Sequence, residues 1–217
     1  MIDTRMNFKS TPRLQRYGRD VSFTARLRAD SPNSNEWIPL RNQPLLLQRK
    51  ATKKADFETV ATALTDVEGR IKLTQVASRG YTYRVLYAGA TFGSITLEPV
   101  RSKSWGSKVR RLMNEQVANK NGRVFYKGRV EPTYAKRKIV IQRKTCKHCD
   151  WKQYSQQRTT KGSEYRFRTP APQTGIYYYR VRTGASNGFV KTTGRTLQVY
   201  INPYGRAAVQ AKFEPWS

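Results

Sequence analysis

Apolar residues recur at every second position in short runs bounded by Gly, Pro, Asn and Ser, the period of a strand with one buried face. Val21, Phe23 and Ala25 alternate with Ser22, Thr24 and Arg26. Tyr177, Tyr179 and Val181 are expected to face inward, and Arg180 and Arg182 to face water. The pattern predicts strands near 19–28, 43–51, 57–64, 69–75, 80–88 and 93–100. A second set follows near 107–112, 122–131, 137–145, 151–158, 163–169, 176–184 and 194–201. The periodicity alone also fits a short helix over Val109–Glu115, but the repeat described next favours a strand.

The order of motifs occurs twice. Leu47-Gln48-Arg49-Lys50, Phe57, Arg70-Ile71-Lys72-Leu73 and Tyr83-Arg84-Val85 are followed by Ile141-Gln142-Arg143-Lys144, Trp151, Glu164-Tyr165-Arg166-Phe167 and Tyr179-Arg180-Val181. Gln48 and Gln142 are 94 positions apart, Arg84 and Arg180 are 96, which is the length of one small β-sandwich. The fold class expected is all-β, two tandem sandwiches with irregular termini. The first spans 1–104 with an N-terminal arm and an inserted loop at 29–42, the second 105–201, and a tail occupies 202–217. The inserted loop carries Trp37, and the tail carries Tyr204, Phe213 and Trp216. These four aromatic residues are candidate anchors on a partner, or alternatively caps on the cores of their own modules.

Charge changes the picture most. Lys and Arg number 42 against 14 Asp and Glu, a formal net charge of +28. Such a field steers polyanions toward the protein: an acidic protein surface, anionic cell-envelope polymers or nucleic acid. The basic clusters are Arg49 and Lys50 with Lys53 and Lys54, the run from Arg101 to Arg111, and Lys136, Arg137 and Lys138 with Arg143, Lys144 and Lys147. Tyr126 and Tyr134 lie among them, as single-strand binders require, but no helix-turn-helix, zinc-finger or RNP-type signature accompanies them, so nucleic acid ranks last. No apolar stretch is long enough to span a bilayer, so no membrane insertion is expected, and the first residues have neither an apolar core nor a cleavage site. If Met1 is the native start, the chain is expected to be made in the cytoplasm without a leader.

Tyr17-Gly18-Arg19-Asp20-Val21-Ser22-Phe23-Thr24-Ala25-Arg26-Leu27, the duplicated Gln-Arg-Lys strand and the late Tyr-Arg-Val strand resemble the bacterial immunoglobulin-like repeats of actinobacterial surface proteins and of the phages that infect these bacteria. The resemblance covers most of residues 8–201. It implies the sandwich fold, and a role as spacer, adhesin or virion decoration. Together with the missing leader it leads to the expectation of a virion protein, a capsid decoration or minor tail protein docked on an acidic protein surface and touching anionic host polymers. A bacterial surface or secreted adhesive module is the alternative, and a nucleic-acid-binding protein a further one.

Cys146-Lys147-His148-Cys149 is the one motif with a chemical signature. It lies between two strand-like runs. Two cysteines and a single histidine in four residues cannot supply four tetrahedral ligands, and a hairpin tip lacks the helix N-terminus that a redox pair uses. A local disulfide between Cys146 and Cys149, or two free thiols, remains. No catalytic residue is expected: His148 is the sole histidine, the carboxylates are scattered, and no phosphate-binding loop occurs. No cofactor and no metal are expected.

Overall fold

The computed structural model describes residues 1–32, 34–120, 123–169, 174–201 and 209–213. Two compact units divide the chain, Met1–Val109 and Arg110–Ser217. Unit one contains β1 (Thr4–Thr11), β2 (Leu14–Arg16), β3 (Asp20–Asp30), β4 (Trp37–Pro39), β5 (Pro44–Lys50), β6 (Glu58–Leu64), β7 (Arg70–Val76), β8 (Thr82–Tyr87), β9 (Ala90–Phe92), β10 (Ile95–Leu97), β11 (Val100–Arg101) and β12 (Trp105–Gly106), and β13 (Lys108–Arg110) reaches the boundary. Unit two contains β14 (Leu112–Lys120), β15 (Arg123–Glu131), β16 (Lys138–Lys144), β17 (Lys152–Arg158), β18 (Glu164–Arg168), β19 (Gly175–Thr183), β20 (Thr192–Thr193), β21 (Leu197–Ile201) and β22 (Val209–Phe213).

In unit one β3 lies between β1 and β7, and β8 lies between β5 and the short β11 and β12, with β6 beyond β5. In unit two β15 lies between β14 and β18, and the second sheet runs β17, β16, β19, β21, β22. All these pairings are antiparallel. Each unit thus repeats the immunoglobulin-like strand order, a first sheet of three long strands, to which unit one adds the short β4, and a second sheet built from the central hairpin and the late strands.

Alternation makes the cores. Val21, Phe23, Ala25 and Leu27 of β3 are buried with Leu45 and Leu47 of β5 and with Tyr83, Val85 and Tyr87 of β8. Phe23 and Tyr83 meet with ring centroids 4.5 Å apart. The core of unit two joins Val124, Tyr126 and Val130 to Ile139, Ile141, Tyr179, Val181, Leu197 and Val199. Each such aliphatic or aromatic side chain contributes about 1.5–3 kcal/mol through burial. A β-bulge falls at the same place in both central hairpins, between Leu47 and Gln48 and between Ile141 and Gln142. It buries two consecutive residues in each strand, so the glutamines turn inward after their apolar neighbours.

Several elements differ from the expectation. The N-terminal arm is a full edge strand, β1, whose apolar positions Met6 and Phe8 are too few to signal it by pattern. The inserted loop is partly sheet: β3 runs on to Asp30, and Trp37–Pro39 pairs back on Arg28–Asp30. The strand expected over 93–100 is a tight hairpin of β9 and β10 around Gly93, whose φ of 58° suits a turn, followed by β11. Val109–Glu115 falls in strands β13 and β14, the latter extending to Lys120. Part of the tail, Val209–Phe213, adds an edge strand beside β21. Alternation breaks in β19, where Tyr177, Tyr178 and Tyr179 are all buried, and Lys144 Nζ lies 4.9 Å from the Tyr178 ring centre.

Candidate functional site

The duplicated motifs converge on one construction in each unit. Strand register sets Gln48 opposite Arg84 and Gln142 opposite Arg180. Arg84 Nε donates to Gln48 Oε1 at 2.9 Å, and Arg180 Nε donates to Gln142 Oε1 at 2.8 Å. The guanidinium of Arg84 sits 3.9 Å from the Phe57 ring centre and Lys50 Nζ sits 4.8 Å from it. Around Trp151 the corresponding distances are 4.1 Å for Arg180 and 5.1 Å for Lys144. Lys50 and Lys144 also donate to the carbonyls of Lys53 and Lys147, closing each hairpin tip. Each cation over a ring contributes about 0.5–1 kcal/mol at such partly exposed sites. Burial, with Arg182 nearby, lowers the Arg180 pKa.

The expected basic residues therefore divide by role. Arg49 is paired with Glu58 at 2.7 Å and lies over Tyr81 at 4.4 Å. Burial opposes its charge, but Glu58, Tyr81 and Tyr83 together outweigh burial and raise its pKa. Arg143 lies over Tyr154 at 4.6 Å. Burial raises the neighbouring Tyr179 phenol to about 12, against the pull of Arg143. Lys53 and Lys54 are exposed at the β5–β6 tip, and Lys147 is exposed at the β16–β17 tip. Lys136, Arg137 and Lys138 are exposed at the opposite end of β16 from Arg143 and Lys144. A strand of that length separates the two groups by roughly 20 Å, so they do not make one patch. Cys146 and Cys149 are joined by a disulfide across the β16–β17 tip.

Arg111, at the end of the basic run, is 2% exposed. Its guanidinium donates to the carbonyls of Pro132 at 2.6 Å and Thr133 at 3.2 Å, and lies over Phe189 at 4.3 Å. Burial lowers its pKa. It ties the loop before β16 to the loop before β20 and offers nothing to a partner. Tyr126 and Tyr134 are buried as well, with hydroxyls bonded to Glu115 and to Lys138, so neither can stack on a base. Trp37 is half-buried beneath Arg5, 4.1 Å away. Phe213 packs on Tyr126 at 5.4 Å with Arg195 over it at 4.0 Å, which makes it a cap on unit two rather than an exposed anchor. Tyr204 and Trp216 lie outside the described residues.

The Glu115 side chain has no exposed surface. Tyr126 donates to its Oε1, and the Arg195 backbone N–H donates to its Oε2 at 2.7 Å. Burial raises the Glu115 pKa despite these donors, and raises Tyr126 well above the ordinary phenol. A Cβ at Gly194 would collide with this carboxylate. The pair is sealed under the sheet and structural. Among the described residues no three His, Cys, Asp or Glu side chains gather in a group that could hold a metal ion. No helix among them is long and apolar enough to cross a membrane.

One surface was not legible as a cluster in the sequence. On the outer face of β1, β3 and β7, register sets Arg5 beside Arg28, Asn7 beside Arg26 and Arg70, and Lys9 beside Thr24 and Lys72. Those rows hold six cations and no carboxylate. Partial burial, then repulsion from Arg5 and Arg26, lowers the Arg28 pKa. Glu68, in the turn before β7, pairs with Arg70, and Asp66 is engaged by the Glu68 and Arg70 backbone N–H groups. The only sequence signal is the alternation of cations within three strands that are far apart in the chain.

No family model matches this chain, and no curated protein matches it. Solved structures do. The D0-D1 domain of intimin is 12% identical, with 90% of this chain and 98% of that one covered and a TM-score of 0.33. A marsupial T cell receptor is 9% identical, with coverages of 88% and 70% and a TM-score of 0.38. The Yersinia pseudotuberculosis adhesin InvE is 10% identical, with 94% of this chain and 62% of that one covered and a TM-score of 0.37. At these values the likenesses add no functional argument, and the immunoglobulin-like assignment rests on the strand order.

Proposed function

We propose that this chain is a non-enzymatic adhesive module, two immunoglobulin-like domains in tandem that attach to an anionic surface outside the cytoplasm. The observation that carries this reading is charge displayed with little internal neutralisation. Against 42 cations, the described residues form three ion pairs, Arg49–Glu58, Arg70–Glu68 and Arg195–Glu115. Much of the remaining positive charge among the described residues is exposed on sheet faces and hairpin tips, where it is available to a polyanion. The disulfide at Cys146 and Cys149 agrees with an oxidising compartment. No observation favours the capsid or tail role that the sequence resemblance suggests.

The test is mass spectrometry of fractions from the source organism: washed cell envelopes, culture medium and purified phage particles. The chain is expected in envelope or medium and released from envelopes by high salt. Recovery only in particles, at a copy number set by capsid or tail symmetry, would replace the adhesive reading with the virion one.

A further inference from the structure

The outer face of β1, β3 and β7 has an internal comparison, because unit two repeats it. Phe23 and Tyr126 occupy the same core position in β3 and β15, and counting from them makes Arg26 equivalent to Arg129 and Arg28 to Glu131. Register then sets Asn114 beside Arg129 and Glu164, and Gln116 beside Lys127 and Arg166, with Leu112 beside Glu131. The rows that carry six cations in unit one thus carry three cations and two carboxylates in unit two. Glu131 stands in the place of Arg28, Glu164 in that of Arg70, and Gln116 in that of Lys9. The sandwich fold itself does not require this charge, since its own duplicate is built without it. Crowding six cations costs free energy by repulsion, and a bound polyanion would relieve that cost.

We propose that this face of unit one is a docking site for an acidic polysaccharide, a linear glycan bearing sulfate or carboxylate groups. The proposal rests on the adhesive reading above and names its site and ligand. Four of the six cations are arginines, whose forked donors match planar or tetrahedral oxyanions two at a time. Arg70 shares its charge with Glu68 and Arg26 Nε donates to the Glu68 carbonyl at 3.0 Å, which leaves Arg5 and Arg28 as the open forks. Arg28 Nε is buried and has no hydrogen-bond partner among the described residues. The neutral members of the rows, Asn7 and Thr24, are exposed hydrogen-bonding groups suited to sugar hydroxyls. Neighbouring strands lie about 4.8 Å apart and successive outward rows about 7 Å, so a chain laid across the face meets a cation at nearly every step. β1, β3 and β7 present neither an aliphatic nor an aromatic side chain outward in these rows, and on β4 the Arg5–Arg28 row continues to Pro39. The face therefore lacks the apolar anchor of a protein interface and the stacking platform of a single-strand binder. Trp37, at the edge beside Asp30, is covered by Arg5.

The test compares two variants of the full chain that change net charge equally. In the face variant, Lys9→Gln, Arg28→Glu and Arg70→Glu import the residues that unit two carries at the same places. In the hairpin variant, Lys54→Gln, Lys53→Glu and Lys147→Glu alter exposed tips. Circular dichroism and thermal unfolding establish that both remain folded. Affinity for heparin, and for single-stranded DNA of similar length, is measured at about 150 mM salt, where exposed charges more than about 8 Å apart are screened. The face variant is expected to lose at least about tenfold in heparin affinity while the hairpin variant stays within about twofold of the parent. Loss in the hairpin variant alone would overturn the face but leave adhesion to polyanions standing. Tighter binding to DNA than to heparin, lost in the face variant, would overturn the glycan. Absence of heparin binding by the parent chain would overturn the inference, and retention on envelopes by that same chain would show that the adhesive reading survives it. Absence of both would sink the two together.

Discussion

Phe8 and Glu115 occupy equivalent places, the first opposite Ala25 in β1 and the second opposite Gly128 in β14. In unit one Phe8 stacks on Phe23, with ring centroids 6.0 Å apart. In unit two the same contact has become a carboxylate receiving the Tyr126 hydroxyl. A buried carboxylate of this kind has a pH signature. Because burial lifts the folded Glu115 above its ordinary value of 4.5, the folded state holds the proton more tightly than the unfolded chain. Stability of unit two should therefore fall as pH rises from that ordinary value through the raised one, and stay lower above it. Glu115→Gln keeps the volume and the acceptor for Tyr126 but loses the one for the Arg195 amide. It is expected to cost about 1–2 kcal/mol and to remove this slope from a plot of melting temperature against pH. A slope that persists in the variant would assign it to another group. None of this was readable from the chain: Glu115 looks like one scattered acid, and only the register of β14 on β15 takes it inside.

At the scale of elements, the central hairpin is where sequence and structure agree most closely. Gln48 and Gln142, the bulge beside each, and the rings of Phe57 and Trp151 recur because one local design closes both hairpins. The hairpins differ at the tip, where unit two alone has the Cys146–Cys149 bridge. So short a closed loop gives about 2 kcal/mol at most by chain entropy. Reduction is expected to lower the stability of unit two by no more than that. Amide exchange should rise within 145–152 and stay unchanged in β1 to β12, as hydrogen-exchange mass spectrometry can follow. Increased exchange throughout both units would show that the bridge supports far more than its own tip. The hairpin was legible because its parts lie within one short segment. The edge strands β1 and β22 were not, because an edge strand buries little and its pairing partner supplies the order.

At the scale of the molecule, a net charge of +28 repels itself, and the few ion pairs relieve little of it. Added salt should stabilise the chain before any ligand is considered. Melting temperature is expected to climb by a few degrees between about 20 and 300 mM salt, as the screening length shortens from roughly 20 Å to below 8 Å. A flat or falling curve would mean that the cations are compensated within the fold. The same repulsion, stronger on one face of unit one than on its counterpart in unit two, is the ground on which that face is proposed as a ligand site.

By itself the sequence determined the all-β class, the duplication, the motifs of both hairpins and the excess of positive charge, because each of these is written in nearest neighbours, in a period of two or in a simple count. The tertiary structure decided which cations are spent inside, as with Arg111, which are tied down over rings, as with Arg84 and Arg180, and which gather into a surface. That gathering joins Lys9, Arg28 and Lys72 through antiparallel register between strands up to 63 positions apart. Register is fixed by how the buried faces of β1, β3 and β7 pack, and the outward residues follow from it without leaving a local signal of their own.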